Sequence, residues 1–572
     1  MSRFVREAFK ERKLLAVIVA SIIGATLATL ASPYILRIAI DEYIVPGKYA
    51  GLPMIAGLYL TALVLQWLFT TIQTYYVEKF GQSVLEELRA RIHRKIIMAN
   101  IDFFKDKKTG DLVSRIINDT GMVNDVLVSG LLGGIGSTLS LVGIIGAMFY
   151  LDIKLTLVVL LSVPVMVFVA KYFGGKIRTA YRQTRKEIAR ISNVVEEGVS
   201  GIETVKAFGR ERKVEEEFER ASKGAVKAYI KVAFYMGLFW PLMNISSLLS
   251  IVLVLAYGGY LAYTGAISVG IVVAFIQYTQ RFRGPINEVV SMYDSLQSAL
   301  AALERIYEII DDPNIETFEG IKIEKLDGHV KFENVWFWYK EGKPVLKNIN
   351  IDIPPGTTIA LVGKTGAGKT TMANLIMRFY DPKRGHILYD DLVGMGINKQ
   401  SLRSRISYVP QETYLFPGSI MENIKIAKPG STDGEVINVC KQLGIHEFIE
   451  RLPKGYETPA GEAGKLLSVG EKQLISIARA MLKNPDIVIL DEALSSVDPK
   501  TESLVQHAIL KLMEGRTSII IAHRLTITRF ADEILVLDNG EIIEHGEFKE
   551  LLSREGKFYE LYNLQISPKI TV

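Results

Sequence analysis

Residues 363–370 read Gly-Lys-Thr-Gly-Ala-Gly-Lys-Thr, the pattern G-x-x-x-x-G-K-[ST], between an apolar run at 358–362 and a helical run at 370–380. In a strand, loop and helix of this kind, backbone N–H groups can wrap phosphates. Gly363, Gly366 and Gly368 let the chain curl and approach a phosphate without Cβ interference. Lys369 offers a positive charge for β- and γ-phosphates, and the Thr370 hydroxyl can ligate Mg²⁺. Asp491 ends the apolar run Ile487-Val-Ile-Leu, where a carboxylate suits Mg²⁺, directly or through water. Glu492 follows, aimed at the place where an attacking water would sit. Ser468 and Gly470 precede a helical run at 472–482, so a hydroxyl, backbone amides and the helix dipole can face an anion. His523 closes another apolar run, Ile519-Ile-Ile-Ala. Each has a plain alternative: a glycine-rich turn, an acidic pair capping a helix, a structural histidine. In this order along one chain they point to Mg²⁺-dependent chemistry on ATP.

Something must position these groups, and a chain of 572 residues is too long for one core. Hydrophobic residues make up 49% of it and the mean hydropathy is +0.22, which implies membrane segments despite 23% charged residues. The net charge of +5 argues against a nucleic-acid partner and fits basic segments facing anionic lipid. The single cysteine, Cys440, excludes an intrachain disulfide framework and reads as a reduced, inert thiol. Apolar stretches of spanning length fall at 14–40, 55–75, 129–150, 153–173, 234–263 and 269–296. The basic, amphipathic N-terminus leads into an uncleaved first span rather than a signal peptide. The links between spans two and three and between four and five are long and carry Arg89, Arg91, Arg94 and Lys95, and Arg178, Arg182, Arg185 and Lys186. The other links are short and nearly free of positive charge. Both termini and both long links are therefore expected in the cytoplasm, and the apolar spacing in the long links extends the spanning helices beyond the bilayer. Residues 311–328 are polar, contain Pro313, Gly320 and Gly328, and read as a linker. Beyond them β-branched runs alternate with helical runs, the pattern of an α/β domain.

The order of the motifs resembles the ATP-binding cassette (ABC) family, and six spans in front of them resemble an exporter-type half-transporter over nearly the whole chain. The resemblance implies a multidomain fold: an all-α six-helix transmembrane domain at 1–310, a linker at 311–328, and an α/β P-loop nucleotide-binding domain at 329–572. It implies that ATP is held by Gly363, Lys364, Thr365, Gly366, Ala367, Gly368, Lys369, Thr370 and Thr371, with adenine stacked on Tyr339. Trp336 and Trp338 compete for the stacking role, or all three pack a strand face. Gln411 matches the glutamine that senses Mg²⁺ and the attacking water, so Thr370, Gln411 and Asp491 form the metal set. Glu492 matches the general base, and His523 the histidine that contacts the γ-phosphate. Ser468, Gly470 and Glu471 match the signature that faces ATP held by the opposite protomer, and Asp498 the loop linking the two sites. This signature departs from L-S-G-G-Q at Val469 and Glu471, which resembles the chain of asymmetric exporters that offers an altered signature to its partner. The residues at 103–115 and 201–209 are similar to the two coupling helices, and those at 458–464 to the loop that meets them.

The expected activity is ATP-driven export of hydrophobic or amphipathic substrates across the cytoplasmic membrane by alternating access. The expected working unit is a dimer, with a different half-transporter favoured over a second copy. A lipid flippase is the alternative, followed by an ATP-gated channel or regulator on the same fold. In the membrane region, Arg37, Gln277, Gln280, Arg281 and Arg283 are candidates: the arginines either snorkel or tie helices together, or face the cavity and favour anionic or zwitterionic amphiphiles. Phe234, Tyr235, Phe239, Trp240, Tyr278 and Phe282 either form an adaptable apolar surface or anchor span ends.

Overall fold

The computed structural model describes residues 11–105, 107–491, 499–522 and 524–566. The chain divides into two units, one of residues 1–99 and 106–313, the other of 100–105 and 314–572.

The first unit is helical because only helices satisfy their own backbone in hydrocarbon without closing a barrel. Among the described residues, five helices are long and apolar enough to cross a membrane, by length and composition. The expected sixth is broken: Val269–Gln280 and Arg283–Ile310 meet at a turn through Arg281 and Phe282. Helices Leu52–Ile97 (46 residues) and Ser162–Ser200 (39 residues) are each longer than the roughly 20 residues a bilayer needs. Short links are made by caps. Asp152, extended at φ −161°, accepts the Leu155 N–H at 2.7 Å and separates two helices by itself. Ser268 caps Val269–Gln280, and Asp41 from the first span's extension accepts the Ser268 hydroxyl at 2.5 Å and the Gly270 N–H at 2.8 Å.

Pro33, inside Arg12–Ile38, has no N–H to give the Thr29 carbonyl four residues back. Arg281 makes good the loss: its Nη1 donates to the Thr29 carbonyl and its Nη2 to Ser32 Oγ at 2.8 Å. Tyr278 donates its hydroxyl to the Leu30 carbonyl at 2.7 Å. Arg37 lies 3.5 Å from Asp41. Arg281 therefore ties two helices together, whereas Arg37 pairs within the first span and its extension. The apolar surface expected of six aromatics also shrinks, because Tyr278 and Phe282 are buried in a core with Phe275, Ile144 and Met148. Phe234 and Trp240 remain exposed.

The second unit holds two sheets. β1 (Val330–Phe337), β2 (Leu346–Ile353), β4 (Arg384–Tyr389) and β5 (Leu392–Val393) form an antiparallel sheet in the order β2-β1-β4-β5. β3 (Thr358–Val362), β6 (Ile406–Val409), β7 (Ile487–Asp491), β8 (Thr517–Ile521), β9 (Glu533–Asp538) and β10 (Glu541–Gly546) form the other, in the order β10-β9-β3-β8-β7-β6. All of its pairings are parallel except β10 with β9. Strands β3, β7 and β8 are buried on both faces, which is why they read as continuous apolar runs without alternation. Helices pack on one face, and the antiparallel sheet with the helix Lys369–Ile376 packs on the other, dividing the apolar residues into two cores.

Two helix bounds differ from expectation. The helix after the glycine-rich loop is Lys369–Ile376 and ends early, because Arg378 takes a left-handed φ of +52°. The helix expected at 472–482 begins earlier, as Val469–Leu482.

Candidate functional site

Four neighbouring parallel strands deliver the site at their carboxyl ends, where open α/β sheets bind ligands. β3 leads into Gly363, β7 ends at Asp491, and β6 leads through Pro410 to Gln411. β8 ends two residues before His523. The register sets Leu361 and Asp491 each beside Ile521, and Val409 beside Leu490. Glu492, Asp498 and His523 lie outside the described residues.

The loop after β3 has the conformation that its glycines require. Gly363, Gly366 and Gly368 have φ of +156°, +85° and +109°. A Cβ on Gly363 would stand 2.3 Å from the Leu537 carbonyl, and one on Gly368 2.6 Å from the Leu346 side chain. Gly363 and Gly368 thus leave no room for a side chain, and the curled backbone fits a phosphate chain wrapped by its amides. Lys369 is 4% exposed, and its ammonium is hydrogen-bonded to the Gly363 carbonyl at 2.6 Å and the Lys364 carbonyl at 3.1 Å. Lys364, Thr365 and Gly366 are exposed along the rim, Ala367 is buried, and Thr370 faces outward at the start of the helix.

Thr371 points the other way and bonds the Tyr339 hydroxyl at 3.2 Å. Tyr339 is 38% exposed, and its ring stands nearly perpendicular to those of Phe337 (4.8 Å) and Tyr380 (5.3 Å). Trp336 and Trp338 are half-buried, so Tyr339 presents the more accessible ring. Over it lies the ammonium of Lys105, 3.9 Å from the ring centroid, in the helix Ile101–Lys105.

Asp491 is 5% exposed, and one of its oxygens accepts the Tyr408 hydroxyl at 3.0 Å. Burial, then the Asp491 charge, pushes the Tyr408 phenol well above its usual range, so it stays a protonated donor. Gln411 is exposed just beyond β6. The oxygen donors of Thr370, Gln411 and Asp491 suit a hard ion such as Mg²⁺, which keeps waters and takes few protein ligands. Among the described residues no cluster of three His, Cys, Asp or Glu side chains forms a fuller cage.

Ser468 caps the helix Val469–Leu482 in a closed box: its hydroxyl accepts the Glu471 N–H at 3.3 Å, and the Glu471 carboxylate accepts the Ser468 N–H at 2.7 Å. The glutamate that departs from the common signature is thus tied into the helix start, and Val469 projects outward, 51% exposed. The S-x-x-E spacing is the signal for this earlier start.

The motif pairings missed by sequence reasoning are Tyr408 with Asp491 and Lys105 with Tyr339. The first had a signal in the strand pattern; the second had none.

Residues 14–286 match the ABC transporter transmembrane region, and residues 346–495 match the ABC transporter family that describes the ATP-binding domain. The chain is similar to a fatty acid ABC transporter ATP-binding/permease protein of Mycobacterium bovis, 36% identical over 89% of this chain and 80% of that one. It is also similar to an ATP-dependent lipid A-core flippase of Syntrophus aciditrophicus, 34% identical over 86% of this chain and 82% of that one. Among solved structures, a bacterial Atm1-family ABC exporter with ATP bound superposes with a TM-score of 0.78 at 27% identity, covering 97% of this chain and 98% of that one.

Proposed function

The chain belongs to the ABC transporter family, as an exporter half-transporter with membrane and ATP-binding regions fused, and on that premise we propose how its residues divide the work. It hydrolyses ATP and couples this to export of hydrophobic or amphipathic substrates, in concert with a second half-transporter. The observation that carries the reading is the glycine cradle after β3, set at the same sheet end as Asp491.

In this reading the loop amides and Lys369 hold the phosphates, Lys369 leaving the Gly363 and Lys364 carbonyls to do so, and Tyr339 carries the adenine. Thr370, Gln411 and Asp491 hold Mg²⁺, which when bound neutralises charge on the β- and γ-phosphates. Glu492 accepts the proton of the attacking water, and His523 contacts the γ-phosphate. Ser468, Gly470 and Glu471 face the partner's ATP, and Asp498 links the two sites. The basic links support a cytoplasmic position for the ATP-binding domain. A different half-transporter is the favoured partner, since Val469 and Glu471 make this signature unlike the common one.

The substrate is a membrane-borne amphiphile, a class that includes both the fatty acids and the lipid A-core of the relatives' names. Its transfer between leaflets, as by a flippase, is the second reading, and the lipid A-core relative supports it. ATPase stimulation by a panel of lipids and amphiphiles in nanodiscs tests the reading. Stimulation by at least one amphiphile, lost in Lys369→Ala together with nucleotide affinity, is expected. Unchanged nucleotide affinity in that variant would contradict the phosphate assignment.

A further inference from the structure

The sheet register brings a tyrosine onto the carboxylate at the end of β7. β6 and β7 are parallel neighbours, and Tyr408 pairs with Ile489. Paired residues point to the same face, and Asp491, two residues beyond Ile489, shares that face. A tyrosine is long enough to reach this diagonal neighbour, and its hydroxyl does so at 3.0 Å from Asp491 Oδ2. A phenylalanine would fill the same space between the strands. What the hydroxyl adds is a donor to a buried carboxylate, and such a group costs heavily when it lacks donors.

We infer that Tyr408 is a positioning residue for the Asp491 carboxylate, holding one oxygen so that the group is already oriented toward Mg²⁺ when Mg²⁺–ATP arrives. The inference rests on the reading of Asp491 as a Mg²⁺ ligand. Tyr408 touches neither nucleotide nor ion in this account. Its effect is on the order and orientation of the ligand, so it falls on metal affinity and spares ATP itself.

The test is the Mg²⁺ concentration that gives half-maximal binding of a fluorescent ATP analogue to the full chain in nanodiscs, with binding in EDTA as the reference. Tyr408→Phe should raise the Mg²⁺ midpoint by about three- to tenfold, the scale of one ordinary hydrogen bond. Binding of the analogue in EDTA should stay unchanged. Asp491→Asn should raise the midpoint further, and adding Tyr408→Phe to it should change nothing more. An unchanged midpoint in Tyr408→Phe, with Asp491→Asn strongly shifted, overturns the positioning role and leaves the metal assignment standing. If Asp491→Asn itself leaves the midpoint unchanged, the metal assignment fails first. Should Tyr408→Phe not fold, Tyr408→Gln, which keeps a donor, and Tyr408→Leu, which does not, carry the same comparison. Equal midpoints for those two would overturn the inference.

Discussion

The Lys105 ammonium sits 3.9 Å from the centroid of the Tyr339 ring and 4.6 Å from that of Tyr380. Lys105 ends a five-residue helix, Ile101–Lys105, that groups with the second unit, and Asn100 just before it donates its N–H to the Asn314 carbonyl at 3.3 Å. A ring face that carries a cation cannot also carry a base, and such a contact contributes about 0.5–1 kcal/mol at an exposed site. If adenine stacks on this face of Tyr339, ATP displaces Lys105 from it.

Lys105→Met, which keeps the apolar stem and removes the charge, is therefore expected to tighten ATP binding by about two- to fivefold. Tripolyphosphate, which has no base, should bind as before. Competition titrations with both ligands check this, and an equal change for the two would show that Lys105 acts on the phosphates.

Arg281 and Thr29 give a prediction for the membrane region. Removing the donor with Arg281→Met leaves the Thr29 carbonyl, which Pro33 already deprives of its helical partner, with only the long bond from the Ser32 hydroxyl at 3.4 Å, at a cost of about 1 kcal/mol. Pro33→Ala restores a backbone N–H within the first span. The double variant should then lose less stability than Arg281→Met alone. Melting temperatures in detergent supply the cycle, and strict additivity of the two changes would contradict the compensation.

Much of the site was legible because it depends on local geometry. Gly363, Gly366 and Gly368 stand where the backbone needs positive φ, and Asp491 stands at the end of a strand whose unbroken apolar run marks it as central. Spans were legible by length. Helix ends were less so: Arg378 ends one helix by taking φ +52°, which arginine does not signal. Ser468 and Glu471, by contrast, spell out a capping box that fixes the start at Val469. Arg281 could not be assigned from sequence, because its partners, Thr29 and Ser32, are chosen by packing. Pro33 was the one local hint of an orphaned carbonyl. The contact of Lys105 with Tyr339 joins residues far apart in the chain, and neither residue type signals it.

Glu471 separates a capping role from an electrostatic one. Glutamine can close the same box, so Glu471→Gln should leave stability within about 0.5 kcal/mol, whereas Glu471→Ala should cost about 1 kcal/mol. If the carboxylate repels the partner's γ-phosphate, Glu471→Gln also raises ATPase turnover in any dimer that uses this signature. Unchanged turnover in a stable variant would show that the charge is silent.

Cys440 is buried, and its thiol is pushed up to about 11 by burial, with the hydrogen bond to Tyr456 acting the other way. The thiolate is the reactive form, so at pH 8 only about one molecule in a thousand presents it. A maleimide should label the folded chain very slowly and the urea-unfolded chain at once. Rapid labelling of the native protein would contradict the buried placement.

The central claim is that hydrolysis at the site built on Lys369 and Glu492 drives an amphiphile across the membrane. The direct measurement is accumulation of a labelled amphiphile, or its transfer between leaflets, in proteoliposomes supplied with Mg²⁺–ATP on the cassette side. ATP-dependent movement against a gradient is expected, nearly abolished in Glu492→Gln, a variant that still binds ATP. Movement that only dissipates a gradient, or that continues at full rate in Glu492→Gln, would contradict it.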